Sequence, residues 1–134
     1  MTQNINQDGQ WSEMPPRRAV VYLRPAHPDD QLIEHPAGLT IAQQGRACHT
    51  VATALGVEVV TEYVDRGGPD VRGREVLRDM LGLIADEDID YVIVFSQARL
   101  CERLDQFLAV AERLACHGTK LVLTGAVVGK AAVA

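Results

Sequence analysis

Three features of the sequence predict an α/β fold with a mainly parallel sheet of about four strands and helices on both faces. Short β-rich apolar runs alternate with segments of helical periodicity through the middle of the chain. One of these runs, Tyr91-Val92-Ile93-Val94-Phe95, is continuously apolar, as a strand covered on both faces requires. Strands separated by helices also imply right-handed crossovers and therefore parallel neighbours.

A chain of 134 residues suits one domain around one core, and with aromatics at only 4% that core must be aliphatic. No apolar run is long enough for a bilayer and the amino terminus lacks a signal-peptide pattern. A cytoplasmic protein with no membrane partner is therefore expected. The net charge of -5 argues against a free-standing DNA-binding domain, whose affinity comes mostly from neutralising phosphates.

Residues 1–16 are polar, end in Pro15-Pro16 and show no apolar periodicity, so they read as a flexible tail. Trp11, the only tryptophan, reads as an incidental tail residue or an anchor. Residues 17–125 read as the folded domain. Arg17 to Leu23 forms the first strand, rich in valine and bounded by Pro25. Pro25, Pro28 and Pro36 make 25–38 a long loop, and long loops in compact domains are often functional. Thr40 with Gln43 forms a capping box, and Cys48, Val51, Ala52 and Leu55 carry the apolar stripe of a helix closed by Gly56. Val57 to Tyr63 is the second strand, and Asp65 to Asp70 a loop. Val76, Leu77, Met80, Leu81 and Ile84 mark a second helix, which ends at Asp86-Glu87-Asp88. After the third strand, Leu104, Phe107, Leu108, Ala111, Leu114 and Ala115 mark a third helix, stopped by Gly118. Lys120 to Thr124 is the fourth strand, and residues 126–134 form a small apolar tail.

Cys48, Cys101 and Cys116 are far apart and form no C-x-x-C pair, so reduced thiols buried in helix cores are expected. The dipeptides Cys48-His49 and Cys116-His117 invite a zinc reading. Neighbouring helical residues point about 100° apart, however, so neither pair gives both members to one ion. No metal and no cofactor are expected.

Several local sequences, taken in order, carry a resemblance. They are Arg18-Ala-Val-Val-Tyr-Leu-Arg24, Thr40-Ile41-Ala42-Gln43-Gln44, Glu62-Tyr63-Val64-Asp65, Arg74-Glu-Val-Leu77, and Tyr91-Val-Ile-Val-Phe95 leading to Arg99-Leu100. From about Arg17 to Gly125 the chain resembles the catalytic domain of serine recombinases, the resolvases and DNA invertases. The resemblance implies a resolvase-like α/β fold. It also implies a chemistry in which a serine two residues beyond the strand-end arginine attacks a DNA phosphodiester while clustered arginines hold the phosphate.

The resemblance makes Arg24, Arg74 and Arg99 candidate phosphate or anion ligands and places Asp65 at the family's acidic motif position. The ordinary alternative for the arginines is a solvated or structural ion pair. The nucleophile position holds Ala26, which has no hydroxyl. The family's Asp-Arg-Leu-x-Arg motif reads Ala98-Arg99-Leu100-Cys101-Glu102, so an aspartate and an arginine are replaced by alanine and glutamate. Arg103 lies one position later, and on a helix that shift turns it by about 100°. Glu102 would repel a phosphate. The only serines are Ser12 in the tail and Ser96 at the end of the third strand, and Ser96 reads better as a turn or cap residue than as a substitute nucleophile. His27, Asp29 and His35 read as loop residues. Family chains continue past the fourth strand into a dimerising helix and a DNA-binding domain. For a sequence ending at Ala134, family-style dimerisation and site reading are not expected.

Together these features predict a resolvase-like domain without strand-cleavage activity, acting as a protein-binding or regulatory module. Its expected partner is another protein or a second copy, with weak or no binding of duplex DNA. The alternatives are a DNA-associated recombination accessory and a phosphoryl-transfer enzyme that uses the retained arginines.

Overall fold

The computed structural model describes residues 4–5, 11–12, 17–25, 40–66 and 74–125. Strands β1 (Asn4–Ile5) and β2 (Trp11–Ser12) pair antiparallel. The sequence gives this stretch no regular element, because strands of two residues are too short to show an alternation.

The domain proper follows as β3 (Arg18–Leu23), α1 (Ile41–Leu55), β4 (Glu58–Val64), α2 (Glu75–Asp86), β5 (Tyr91–Val94), α3 (Gln97–Leu100), α4 (Leu104–Cys116) and β6 (Lys120–Leu123). The sheet order is β4-β3-β5-β6, with every neighbouring pair parallel. The predicted fold class therefore holds. The chain leaves β3 through α1 to the β4 edge. It then crosses back through α2 to β5 and continues outward to β6. The two directions of winding put helices on both faces.

Strand alternation divides the core. Ala19, Val21, Leu23 and Ile93 face α1 and meet Cys48 and Ala52. Val20, Tyr22, Val92 and Val94 face the opposite way, toward Leu77, Met80, Leu81 and Ile84 of α2, Leu114 of α4, and Leu100 and Cys101. Strand β5 is buried on both faces, as its continuous apolar run requires.

The helix ends follow their local chemistry. Thr40 accepts from the Gln43 N–H, Gln43 Oε1 accepts from the Thr40 N–H, and Gly56 closes α1 at φ 70. At Gly125 a Cβ would lie 2.7 Å from the Phe95 carbonyl oxygen, so the chain leaving β6 passes too close to the end of β5 for any side chain.

Two expectations change. The stripe of α4 is Phe107, Val110 and Leu114, whereas Leu104 and Leu108 are 58% and 55% exposed. Both leucines fit an i, i+4 pattern, but α4 packs on β6 with one narrow face and leaves them outside it. The short helix α3 was not expected either, since a single turn shows no periodicity. Among the described residues no helix is long and apolar enough to cross a membrane.

Cys48 is fully buried, with Sγ 3.9 Å from the Ile93 carbonyl oxygen, and burial pushes its thiol up to about 12 from 9.0. Because the folded value is the higher one, this stabilisation is complete below pH 9 and is lost as pH rises toward 12. The loss amounts to up to about 4 kcal/mol. Urea unfolding at pH 8 and at pH 10.5 should show a steeper alkaline loss for the wild type than for Cys48→Ala. Parallel losses would contradict this.

Candidate anion site

The candidate residues gather at the carboxyl ends of β3, β4 and β5. This is where the winding reverses, and where open α/β sheets place their ligands. Arg24 follows β3, Asp65 follows β4, Arg99 sits on α3 just after β5, and Arg74 immediately precedes α2. The topology thus brings all four sequence-predicted residues to one end of the sheet. Ala26, His27, Asp29 and His35 lie outside the described residues.

All four are buried: Arg24 is 4% exposed, Asp65 1%, Arg74 1% and Arg99 5%. Solvated arginines are therefore ruled out, and each charge must be met inside the protein.

Arg74 and Asp65 form a closed triangle with Tyr22. The Arg74 Nε–H donates to Asp65 Oδ2 at 3.1 Å. The Tyr22 hydroxyl donates to the same carboxylate oxygen and accepts from the second guanidinium nitrogen of Arg74. Burial, followed by the bond to Asp65, raises the Tyr22 pKa and keeps its hydroxyl in the donating form. Burial opposes the Arg74 charge, but Tyr22 and Asp65 outweigh it and hold the proton more firmly than in free arginine. The Cys101 Sγ lies 3.9 Å from Arg74, and burial raises its thiol pKa against the pull of Arg74 and Arg24.

Arg24 is held on two sides. The Gln44 side chain grips its backbone from α1: Nε2 donates to the Arg24 carbonyl at 2.9 Å, and Oε1 accepts from the Arg24 N–H at 3.4 Å. The guanidinium turns toward the segment after β5. It donates to the Ala98 carbonyl at 3.1 Å and pairs with Glu102 at 3.6 Å. Glu102 and Arg103 lie in a bend between α3 and α4, not within a helix as the sequence reading assumed. Arg103 points away and pairs with Asp105 at 2.9 Å, so it does not fill the replaced arginine's place. Ser96 stands at the N-cap position of α3 without a side-chain capping bond, and its carbonyl accepts from the Arg99 N–H at 3.1 Å.

The thiols and histidines do not converge. Cys48 is buried under the sheet, Cys101 is buried in the bend, and Cys116 is exposed at the end of α4. His49 instead pairs with Glu62 at 2.9 Å. Among the described residues no three metal-ligating side chains cluster.

Sequence reasoning missed Tyr22 and Gln44 as members of this site. Gln44 had a visible signal, because it stands four residues before Cys48, in phase with the apolar stripe of α1. A polar residue at such a position is a buried one that needs partners.

With this geometry in place, comparison with known proteins gives a consistent result. The resolvase N-terminal domain model matches residues 19–127. The catalytic domain of TP901-1 integrase superposes with a TM-score of 0.68 at 20% identity, over 81% of this chain and 78% of that one. The catalytic domain of ISC1926 TnpA, an IS607-like serine recombinase, gives 0.65 at 23% identity, over 80% and 70%. A resolvase family site-specific recombinase from Streptococcus pneumoniae gives 0.62 at 17% identity, over 81% and 72%. No protein of curated function matches the chain by sequence.

Proposed function

The chain belongs to the resolvase N-terminal domain family, and we propose that it is a member that does not cleave DNA and acts by binding another protein. Ala26 carries this reading. Two residues beyond Arg24, where the resemblance puts a nucleophilic hydroxyl, the side chain is a methyl group that cannot attack phosphorus. The surroundings agree with a silent site. The Arg24 guanidinium is paired with a carboxylate, and Arg74 is committed to Asp65 and Tyr22. Arg74 in this reading positions the β3 and β4 ends.

Incubation with supercoiled plasmid and denaturing electrophoresis test the reading. No covalent protein–DNA adduct and no nicking are expected, and a defined stoichiometric protein partner is expected from native cells. An adduct would overturn the proposal. Ala26→Ser alone should leave the adduct undetectable, because Ala98 and Glu102 still stand where the family motif has aspartate and arginine. Efficient cleavage by that variant would show that the motif after β5 is assigned to the wrong residues.

A second reading, a DNA-associated accessory or a phosphoryl-transfer enzyme, draws on the burial of Arg24 and Arg99 at the winding reversal. It predicts duplex binding that is tight at low salt and fades steeply as salt rises.

A further inference from the structure

We propose that Glu102 is a built-in occupant of the anion site at Arg24, holding that site closed to outside phosphates. The inference rests on reading the carboxyl end of β3 as an anion site, and it names what fills the site. The Arg24 side chain is 5% exposed, while its partner Glu102 is 42% exposed, so the carboxylate is the only solvent-reaching half of the pair. Two contacts of the guanidinium, with the Ala98 carbonyl and the Glu102 carboxylate, come from the short segment after β5. That segment lays a backbone acceptor and then a charged one across the arginine.

Glu102 is placed to leave again. Helix α3 ends with the Cys101 N–H bonded to Gln97, and α4 begins after Arg103, so Glu102 lies in the bend between them. Its nearest cation in sequence, Arg103, is bonded twice to Asp105, at 3.1 and 2.9 Å, and does not draw the carboxylate away. The 3.6 Å contact with Arg24 is longer than a charge-assisted hydrogen bond of about 2.7–2.9 Å. A half-exposed pair at that distance is weak enough for a tetrahedral oxyanion to compete with it. A phosphate oxygen pair matches the guanidinium fork better than the single carboxylate oxygen now facing it.

The test uses inorganic phosphate and the full chain with 15N-labelled arginine, at constant ionic strength. Glu102→Gln should bind phosphate about fivefold tighter than the wild type, or more. The Arg24 Nε–H resonance should move during that titration. Glu112→Gln, which removes one exposed carboxylate on α4, should bind like the wild type. Because Arg24→Ala could unfold the domain, the Arg24 resonance is the site-specific readout. Equal affinity of Glu102→Gln and wild type overturns the proposal. So does an equal gain in Glu112→Gln, or a gain that leaves the Arg24 resonance in place. These results are independent of DNA cleavage: an adduct would sink the functional reading and leave Glu102's role intact.

Discussion

Arg74→Ala is expected to cost the domain about 3–5 kcal/mol, a large part of the stability of a fold this size. Arg74 and Asp65 are each 1% exposed, and loss of the guanidinium removes a buried positive charge and a 3.1 Å hydrogen bond from the Asp65 carboxylate. The Tyr22 hydroxyl loses the donor it accepts from and keeps only its own bond to Asp65. The triangle joins three separate pieces of chain: the end of β3, the residue after β4, and the start of α2. A single deletion therefore loosens the attachment of α2 to the sheet as well as removing a bond. Urea unfolding followed by circular dichroism measures the effect. Replacing all three members by apolar groups of similar size (Tyr22→Phe, Asp65→Leu, Arg74→Met) should recover most of the loss, since the large cost is an imbalance of buried charge and not a missing attraction. A loss below about 1 kcal/mol for Arg74→Ala would show that water reaches the triangle and that Arg74 is free for an outside anion.

This result separates two roles that the sequence cannot. Arg24, Arg74 and Arg99 look alike as strand-end or motif arginines, and nothing in the one-dimensional pattern says which of them is spent inside. What was legible is the frame. Valine-rich runs and a capping box reproduce the strands and α1 closely, because their signals are local. The position of the site was legible too, since Arg24 at a strand end follows from strand length alone. Partner choice was not. The Arg74–Asp65 bond joins residues nine apart across a loop, and Arg24–Glu102 joins elements on either side of β5. The sequence also treated Glu102 only as a repulsive neighbour for phosphate. The bend after α3 instead turns it onto Arg24, so the same charge is attractive within the fold. Leu104 and Leu108 misled for the converse reason: helical periodicity shows that a face exists, not that a neighbour covers it.

Gln44→Leu is expected to lower stability by about 2–4 kcal/mol, and Gln44→Ala by more, because the smaller side chain adds a cavity. Gln44 is fully buried on α1, and its amide meets the Arg24 backbone as a strand neighbour would, donating at 2.9 Å and accepting at 3.4 Å. Beyond Leu23, β3 loses β5 as a partner, since the last paired residue on that side is Tyr22. The side-chain amide therefore extends the hydrogen bonding of β3 past the end of its ladder and fixes where Arg24 leaves the sheet. Leucine matches the volume of glutamine but supplies neither bond, so buried peptide groups lose their partners at about 1–3 kcal/mol each. The loss should carry a second signature that a general packing defect would not. The Arg24 Nε–H resonance should broaden or shift in Gln44→Leu, while the exposed His49–Glu62 contact between α1 and β4 stays as it is. Gln44→Glu separates the two bonds: its carboxylate can still accept from the Arg24 N–H but cannot donate to the Arg24 carbonyl, and it brings a charge into a buried place. It should therefore be no better than leucine at neutral pH and should improve as the carboxyl protonates. A Gln44→Leu protein with wild-type stability and an unmoved Arg24 resonance would mean that β3 holds its end without α1.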